Sequence, residues 1–76
     1  MDLPVTYDAS ADCAYIQLVP RVGRGAAVAQ EVVEAPGDRA TVVLDFDAEG
    51  RLLGIEVVGA RAALAESVLE HATRIG

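Results

Sequence analysis

The chain has 76 residues, and twelve acidic residues outnumber six basic ones, which gives a formal net charge of −6. Because affinity for nucleic acids rests largely on basic contacts to phosphate, we expect no nucleic-acid partner. A chain this short buries only roughly 60–65% of its unfolded surface, so we expect one marginally stable domain over residues 1–76.

The first predicted elements are two short strands, at about residues 4–7 and 13–19. In the second strand, alternate residues form an apolar face: Ala14, Ile16 and Leu18. Asp8 and Asp12 lie between the two strands, where short acidic side chains bond to the N–H groups of a turn. We therefore assign both aspartates a structural role in this turn.

A loop follows over residues 20–25, which contain one proline and two glycines. The next strand, at about residues 27–34, alternates poorly, so either of its faces could be buried. A helix beginning near Ala26 is the alternative, but Val32 and Val33 favour a strand.

The most regular part of the sequence is a predicted hairpin, with strands at residues 41–46 and 52–58. Each strand has an apolar face of alternate residues: Val42, Leu44 and Phe46 in the first, and Leu53, Ile55 and Val57 in the second. Asp47 and Gly50 lie in the loop, where an aspartate accepts N–H bonds and a glycine adopts positive φ.

Two registers of this hairpin keep the apolar faces matched, with Phe46 opposite either Arg51 or Leu53. We prefer the first, because its four-residue loop ends at Gly50. Gly54 is expected to tolerate substitution better than Gly50, unless a neighbouring group packs tightly over it.

The C-terminal segment predicts one amphipathic helix at about residues 60–74, because apolar residues recur at helical spacing: Leu64, Val68, Ala72 and Ile75. The predicted fold is α+β, an antiparallel five-stranded β-meander followed by this helix packed on one face of the sheet.

The second face of the sheet keeps apolar residues beside Asp45 and Glu56, namely Val43, Leu52 and Val58. That is more apolar than a solvated sheet face. A single cysteine, Cys13, leaves no internal disulfide to stabilise so small a core. We therefore expect a homodimer.

Two segments, from Tyr7 to Ile16 and from Asp45 to Glu56, carry the patterns Tyr-Asp-x-x-x-Asp-x-x-Tyr-Ile and Asp-x-Asp-x-x-Gly-x-x-x-Gly-Ile-Glu. In order and spacing they resemble the small bacterial domain-of-unknown-function family 2283 (DUF2283), over roughly residues 5–60. The family has no established activity. Some members are encoded beside small toxin-like proteins, so the resemblance implies at most a small protein partner.

The hairpin loop also resembles a calcium loop. Asp45, Asp47, Glu49, Gly50 and Glu56 occupy positions one, three, five, six and twelve of an EF-hand pattern. An EF-hand needs flanking helices, whereas both flanks here are strand sequences. We interpret the loop as a polar turn and expect no metal site and no cofactor.

The remaining chemical groups do not form a convincing catalytic set. Asp8, Asp12, Asp45 and Glu56 form an acid–base pair only if two of them converge in different environments. Cys13 and His71 form a nucleophile pair only if they are adjacent. We interpret Cys13 as a small packed residue and His71 as a solvated residue near a helix end.

Tyr7 and Tyr15 lie on either side of the first turn, and we expect them to pack together or across a subunit boundary. The absence of a signal peptide, of a membrane-spanning stretch and of a second cysteine predicts a cytoplasmic protein with no membrane partner.

The function predicted is a non-enzymatic, homodimeric interaction or regulatory module. The alternative is a small-ligand or metal-binding protein that uses the acidic hairpin loop or a pocket at the dimer seam. An enzyme is the least favoured class.

Overall fold

A computed structural model describes residues 3–75 of the chain. Its fold is α+β, with a mixed six-stranded sheet and two short helices. The elements are β1 (Val5–Asp8), β2 (Cys13–Gln17), β3 (Ala29–Glu34), β4 (Thr41–Phe46), β5 (Leu52–Val58), α1 (Ala60–Ala63), α2 (Glu66–Glu70) and β6 (Thr73–Ile75). A single 3₁₀ turn, Pro36–Asp38, connects β3 to β4.

The strand order is β3-β4-β5-β2-β1-β6, so the predicted meander is wrong. A meander places β2 beside β3, but β2 pairs with β5 instead, with Ala14 opposite Val57 and Ile16 opposite Ile55. This pairing joins apolar residues of two strands that both lie inside the sheet. It leaves β3, which has the poorest alternation, at the sheet edge.

The predicted helix over residues 60–74 is also wrong. α1 ends at Ala63, and Leu64 and Ala65 adopt extended backbone conformations before α2 begins. The chain then returns as β6, which pairs with β1 in parallel. An isolated helix of this length is only marginally stable, so tertiary contacts decide its structure. Here β6 covers the edge of β1, which would otherwise be unpaired.

Neither predicted register of the β4–β5 hairpin is correct. Phe46 lies opposite Leu52, and Asp45 lies opposite Gly54, so Leu53 is an extra residue that forms a β-bulge. The loop between the paired strands spans residues 47–51. Because residues opposite each other share a sheet face, Leu52 lies on the face of Phe46 and not on the face of Val43.

The core lies between the helices and one face of the sheet. Tyr7, Ala14, Val57 and Ala60 are at most 2% exposed and form one cluster, against which Leu64, Leu69 and other partly buried apolar residues pack. The cluster belongs to β1, β2, β5 and α1. Within residues 3–75, the opposite face of the sheet, here called the open face, carries no helix.

Candidate functional site

Like the shorter strand β6 at the opposite edge, β3 is an exposed edge strand of the sheet. All six of its residues are exposed, and Val32 and Val33 are 61% and 52% exposed. β3 ends the strand order, so it pairs with β4 on one side only. A sheet edge that presents apolar side chains and unpaired backbone groups is a recognised site of strand-to-strand association.

The open face carries an apolar row that begins at this edge. Val32 lies opposite Val43, which in turn lies opposite Glu56 on β5. Val58 lies on the same face and is 40% exposed. The open face is therefore apolar at Val32, Val43 and Val58 and polar at Glu56, as the sequence predicts for Val43, Val58 and Glu56.

A small polar network crosses the open face beside this row. Asp45 accepts a hydrogen bond from Gln30 Nε2 at 2.8 Å and a longer one from Tyr15 Oη at 3.4 Å. Burial and the nearby Asp45 carboxylate raise the pKa of the Tyr15 phenol. The Tyr15 ring lies directly over buried Gly54, where a side chain would collide with it. Tyr15 therefore packs within its own sheet, and Asp45 is held by one side chain from the adjacent strand β3 and one from β2, on the far side of β5.

The hairpin loop is organised by Asp47. One carboxylate oxygen accepts the N–H groups of Glu49 and Arg51, each at 2.9 Å, and the other contacts the Arg51 guanidinium at 3.2 Å. These bonds, that of the Arg51 N–H above all, lower the pKa of Asp47. Gly50 has a φ of +79°, the left-handed conformation that favours glycine.

The five residues of the EF-hand pattern are not gathered around one point. Asp45 bonds across the sheet, Asp47 bonds to its own loop, and Glu49 pairs with Arg51 at 3.1 Å. Glu56 lies on β5 opposite Val43. Within residues 3–75, no group of three or more His, Cys, Asp or Glu side chains has a geometry that could hold a metal ion.

The first turn contains two aspartates with different partners. Asp8 accepts bonds from the hydroxyl of Ser10 at 2.6 Å and from its N–H at 3.0 Å, and the hydroxyl bond above all lowers the pKa of Asp8. Asp12 instead reaches the core. Its carboxylate accepts the Tyr7 hydroxyl at 2.8 Å and the Arg61 N–H at 3.1 Å.

The backbone of Asp12 also bonds to the segment that begins α1. Its φ is +52°, and its carbonyl accepts the N–H groups of Gly59 and Ala60 at 2.9 Å each. Asp12 thus joins the β1–β2 turn to the beginning of α1. The sequence suggested only a turn role. The missed signal is the asparagine-like tolerance of aspartate for positive φ, which allows one residue to present both its carbonyl and its carboxylate to another segment.

The other proposed catalytic pairs are separated. Cys13 lies on the open face beside Val58, its thiol contacts the carbonyl of Ala11 at 3.5 Å, and burial raises its pKa. His71 caps α2 on the helical side, where its Nδ1 lies 2.8 Å from the Ser67 carbonyl. The sheet lies between them, so they form no nucleophile pair. Asp12 and Asp45 likewise bond to separate partners.

One open cleft of about 370 Å³ lies between the helices and β6. Tyr7 lines it, and the Arg74 guanidinium carbon lies 5.2 Å from the centroid of the Tyr7 ring. Two arginines and two glutamates surround the cleft: Arg61, Arg74, Glu66 and Glu70. The positive and negative side chains around the cleft are therefore equal in number.

Over residues 3–75, no helix is both long and apolar enough to cross a membrane. Comparisons with curated proteins and with solved structures find no match. The model of a protein family, described as "Protein of unknown function (DUF2283)", matches residues 5–61. The match begins at β1, ends within α1 and covers well over half of the chain, so the resemblance seen in the sequence is confirmed and the chain belongs to the DUF2283 family.

Proposed function

We propose that the protein is a non-enzymatic interaction module of the cytoplasm that acts as a homodimer. One observation carries this proposal: β3 is exposed along its whole length and presents Val32 and Val33 at a sheet edge. A small chain with no internal disulfide gains stability from a second subunit more readily than from its own core.

The separation of the polar groups supports a binding role over catalysis. A catalytic site needs a nucleophile, a base and a stabilising group that converge on one point. Here Cys13 and His71 lie on opposite sides of the sheet, and Asp12 and Asp45 are bonded to different partners. A regulatory partner of small size would bind to the same exposed surface.

The test is the mass of the protein in solution. Light scattering on the eluate of a sizing column should give twice the chain mass at micromolar concentration. A single-chain mass at every concentration up to about 1 mM, the weak limit of useful affinity, would contradict the homodimer.

The second candidate function, small-ligand or metal binding, is favoured by the cleft beside Tyr7. The hairpin loop is a weaker candidate for a metal site than the cleft is for a ligand site, because the Asp47 carboxylate already accepts two N–H groups and contacts a guanidinium. Calorimetric titration should therefore show no calcium binding tighter than about 10⁻³ M. A micromolar affinity that is lost in Asp47→Ala would favour this candidate instead.

A further inference from the structure

We propose that two copies of the chain pair edge to edge through β3, antiparallel and with Val32 on the twofold axis, so that two six-stranded sheets become one continuous sheet. This inference rests on the homodimer proposed above and gives it a surface and a register. Three independent features select this arrangement: the direction of the free backbone groups, the symmetry of a closed dimer and the charges along β3.

The β3–β4 ladder fixes which backbone groups face the free edge. Ala35 donates its N–H to the carbonyl of Ala40 at 2.9 Å, which continues the register in which Val33 lies opposite Val42. Hydrogen-bonded and non-bonded pairs alternate in an antiparallel ladder. Glu31 and Val33 therefore bond to β4, whereas the N–H and C=O groups of the even-numbered residues, Gln30, Val32 and Glu34, point away from it.

Symmetry restricts how these groups can meet a second copy. A closed dimer of identical chains has a twofold axis, and an antiparallel edge pair places that axis perpendicular to the sheet. Each sheet face then continues into the same face of the partner. Because side chains alternate between faces, an even-numbered residue must lie opposite an even-numbered residue. The same pairing of even-numbered residues also brings the free N–H groups of one copy opposite the free C=O groups of the other.

An axis at Val32 satisfies all of the free groups. Val32 then lies opposite its own copy, and Gln30 lies opposite Glu34 of the second copy, with two hydrogen bonds for each pair. An axis at Glu31 would oppose two identical carboxylates, which is destabilising. An axis at Val33 would place Gln30 opposite Pro36, which has no N–H to donate.

The side chains fit the same register. Val32 and Val43 of each copy would form a four-valine row across the seam on the open face, continuous with the row seen in one chain. Gln30 donates one amide N–H to Asp45, which leaves the other for the Glu34 carboxylate of the second copy. Glu31 faces Val33 across the seam, so no two carboxylates lie directly opposite each other.

The first arm of the test is Val32→Pro. Proline lacks an N–H but is tolerated on an edge strand when the lost N–H faces outward, so the β3–β4 ladder should survive. We expect the solution mass to fall to half of that of the wild type, with an unchanged circular dichroism spectrum. The matched control is Val32→Thr, which keeps the N–H and the β-branched shape and should remain a dimer.

The second arm reads the register and does not depend on how well the proline variant folds. In a Cys13→Ser background, Val32→Cys places two thiols on the axis, where bonded pairs have Cα atoms about 5.5 Å apart, within the range of a disulfide. Under mild oxidation this variant should form a covalent dimer in high yield, whereas the control Val33→Cys should remain largely uncrosslinked.

Three results would overturn the proposal. If the wild type is a dimer but Val32→Pro folds and stays dimeric, and Val32→Cys does not crosslink, the edge pairing is wrong while the homodimer stands. Faster crosslinking of Val33→Cys than of Val32→Cys overturns the register. A wild-type chain that is monomeric at all concentrations overturns both proposals together.

Discussion

At the scale of single residues, the two hairpin glycines have different physical roles. Gly50 has nothing within 4 Å of the position that a Cβ would take, and its constraint is the positive φ alone. Gly54 has an ordinary φ, but a Cβ there would meet the ring of Tyr15 and the carbonyl of Ile16, the latter at 2.9 Å. The sequence predicts that Gly54 tolerates substitution better than Gly50 unless a neighbouring group packs over it. Tyr15 packs over Gly54 in this way, so the expected order of the two glycines is reversed.

We expect Gly54→Ala to be more destabilising than Gly50→Ala. The left-handed penalty at Gly50 is roughly 1–2 kcal/mol. Forcing a methyl group into a packed site costs about 1–3 kcal/mol, and at Gly54 a backbone carbonyl limits the relaxation. Thermal unfolding followed by circular dichroism should show a drop of about 4–8 °C for each kcal/mol lost.

Gly23 and Tyr15 provide the controls for this comparison. Gly23 has no positive φ and no neighbour within 4 Å of a Cβ, so Gly23→Ala should leave the melting temperature nearly unchanged. Gly54→Ala should cost less in a Tyr15→Ala background, since the ring is then absent. Equal costs in both backgrounds would show that the ring does not limit the site.

The acidic turn residues predict a pH dependence. Bonds from the N–H of Arg51 and its neighbours hold the pKa of Asp47 below its ordinary value of 3.8. A carboxylate whose pKa is lower in the folded state stabilises the fold above its unfolded pKa and loses that contribution as the pH falls through the folded value.

Asp47→Asn should therefore melt below the wild type at pH 6, and the difference should shrink as the pH falls below 3.8 and Asp47 becomes protonated in the folded state. Asparagine keeps one acceptor oxygen for the loop N–H groups but has no charge. The measurement is the melting temperature of both proteins at several pH values. A difference that stays constant from pH 6 down through the range in which Asp47 is protonated would show that the charge of Asp47 contributes nothing.

At the scale of elements, Asp12 shows how one turn positions a helix. Its carboxylate accepts the Arg61 N–H in the first turn of α1, and its carbonyl accepts the N–H groups of Gly59, just before α1, and of Ala60, the first residue of α1. Gly59, the residue before α1, has no side chain that could cap the N-terminus of the helix. The β1–β2 turn therefore supplies the cap from a distant part of the sequence.

Asp12→Asn should be close to the wild type, because asparagine tolerates positive φ and keeps the acceptor oxygen. Asp12→Ala should lower the melting temperature by more than about 5 °C, because it adds a left-handed penalty and leaves the Tyr7 hydroxyl and the Arg61 N–H without this acceptor. Asp12→Gly separates the two causes, since glycine removes only the backbone penalty. If the alanine and asparagine variants melt together, the carboxylate does not hold α1.

The sequence predicts the strands, because the signals that identify them lie within short segments of the chain. The five predicted strands are all present, although β2 ends at Gln17 and β3 begins at Ala29, each two residues inside its predicted bounds. Strand order depends on which apolar faces meet, and β2 and β5 match better than β2 and β3. No residue near Leu64 is a helix breaker, so the end of α1 could not be read from the sequence. It follows from the docking of β6 beside β1.

The β5 bulge was missed for a related reason. Matching the apolar faces allowed two registers, and the structure adopts a third, in which Leu53 is inserted without a partner on β4. Leu53 is 7% exposed, and its carbonyl accepts the N–H of Leu18 at 3.0 Å. The bulge therefore positions Leu53 to bond with the segment that follows β2. This contact lies outside the hairpin, so the hairpin sequence alone could not predict the bulge.

At the scale of the whole molecule, the centre of the sheet is stabilised more than its β3 edge. The buried cluster of Tyr7, Ala14, Val57 and Ala60 lies on β1, β2, β5 and α1. Every residue of β4 is half-buried, and every residue of β3 is exposed. Local stability follows buried apolar contacts, so it should decrease from β5 towards the β3 edge.

Amide hydrogen exchange measured by NMR should show this gradient in the monomer. At a concentration low enough for the single-chain mass, or in Val32→Pro, the β4-bonded amides of Glu31 and Val33 should exchange faster than the amides of Ala14 and Ile16 on β2. All four amides are hydrogen-bonded within paired strands, so the difference in exchange rate reports local opening and not the presence of a hydrogen bond.

In the wild type at high concentration, the edge amide of Val32 should become protected, because the second copy supplies its acceptor. If the amides of β3 exchange as slowly as those of β2 in the monomer, the edge and the centre of the sheet open as one unit, and β3 needs no second copy to be stable.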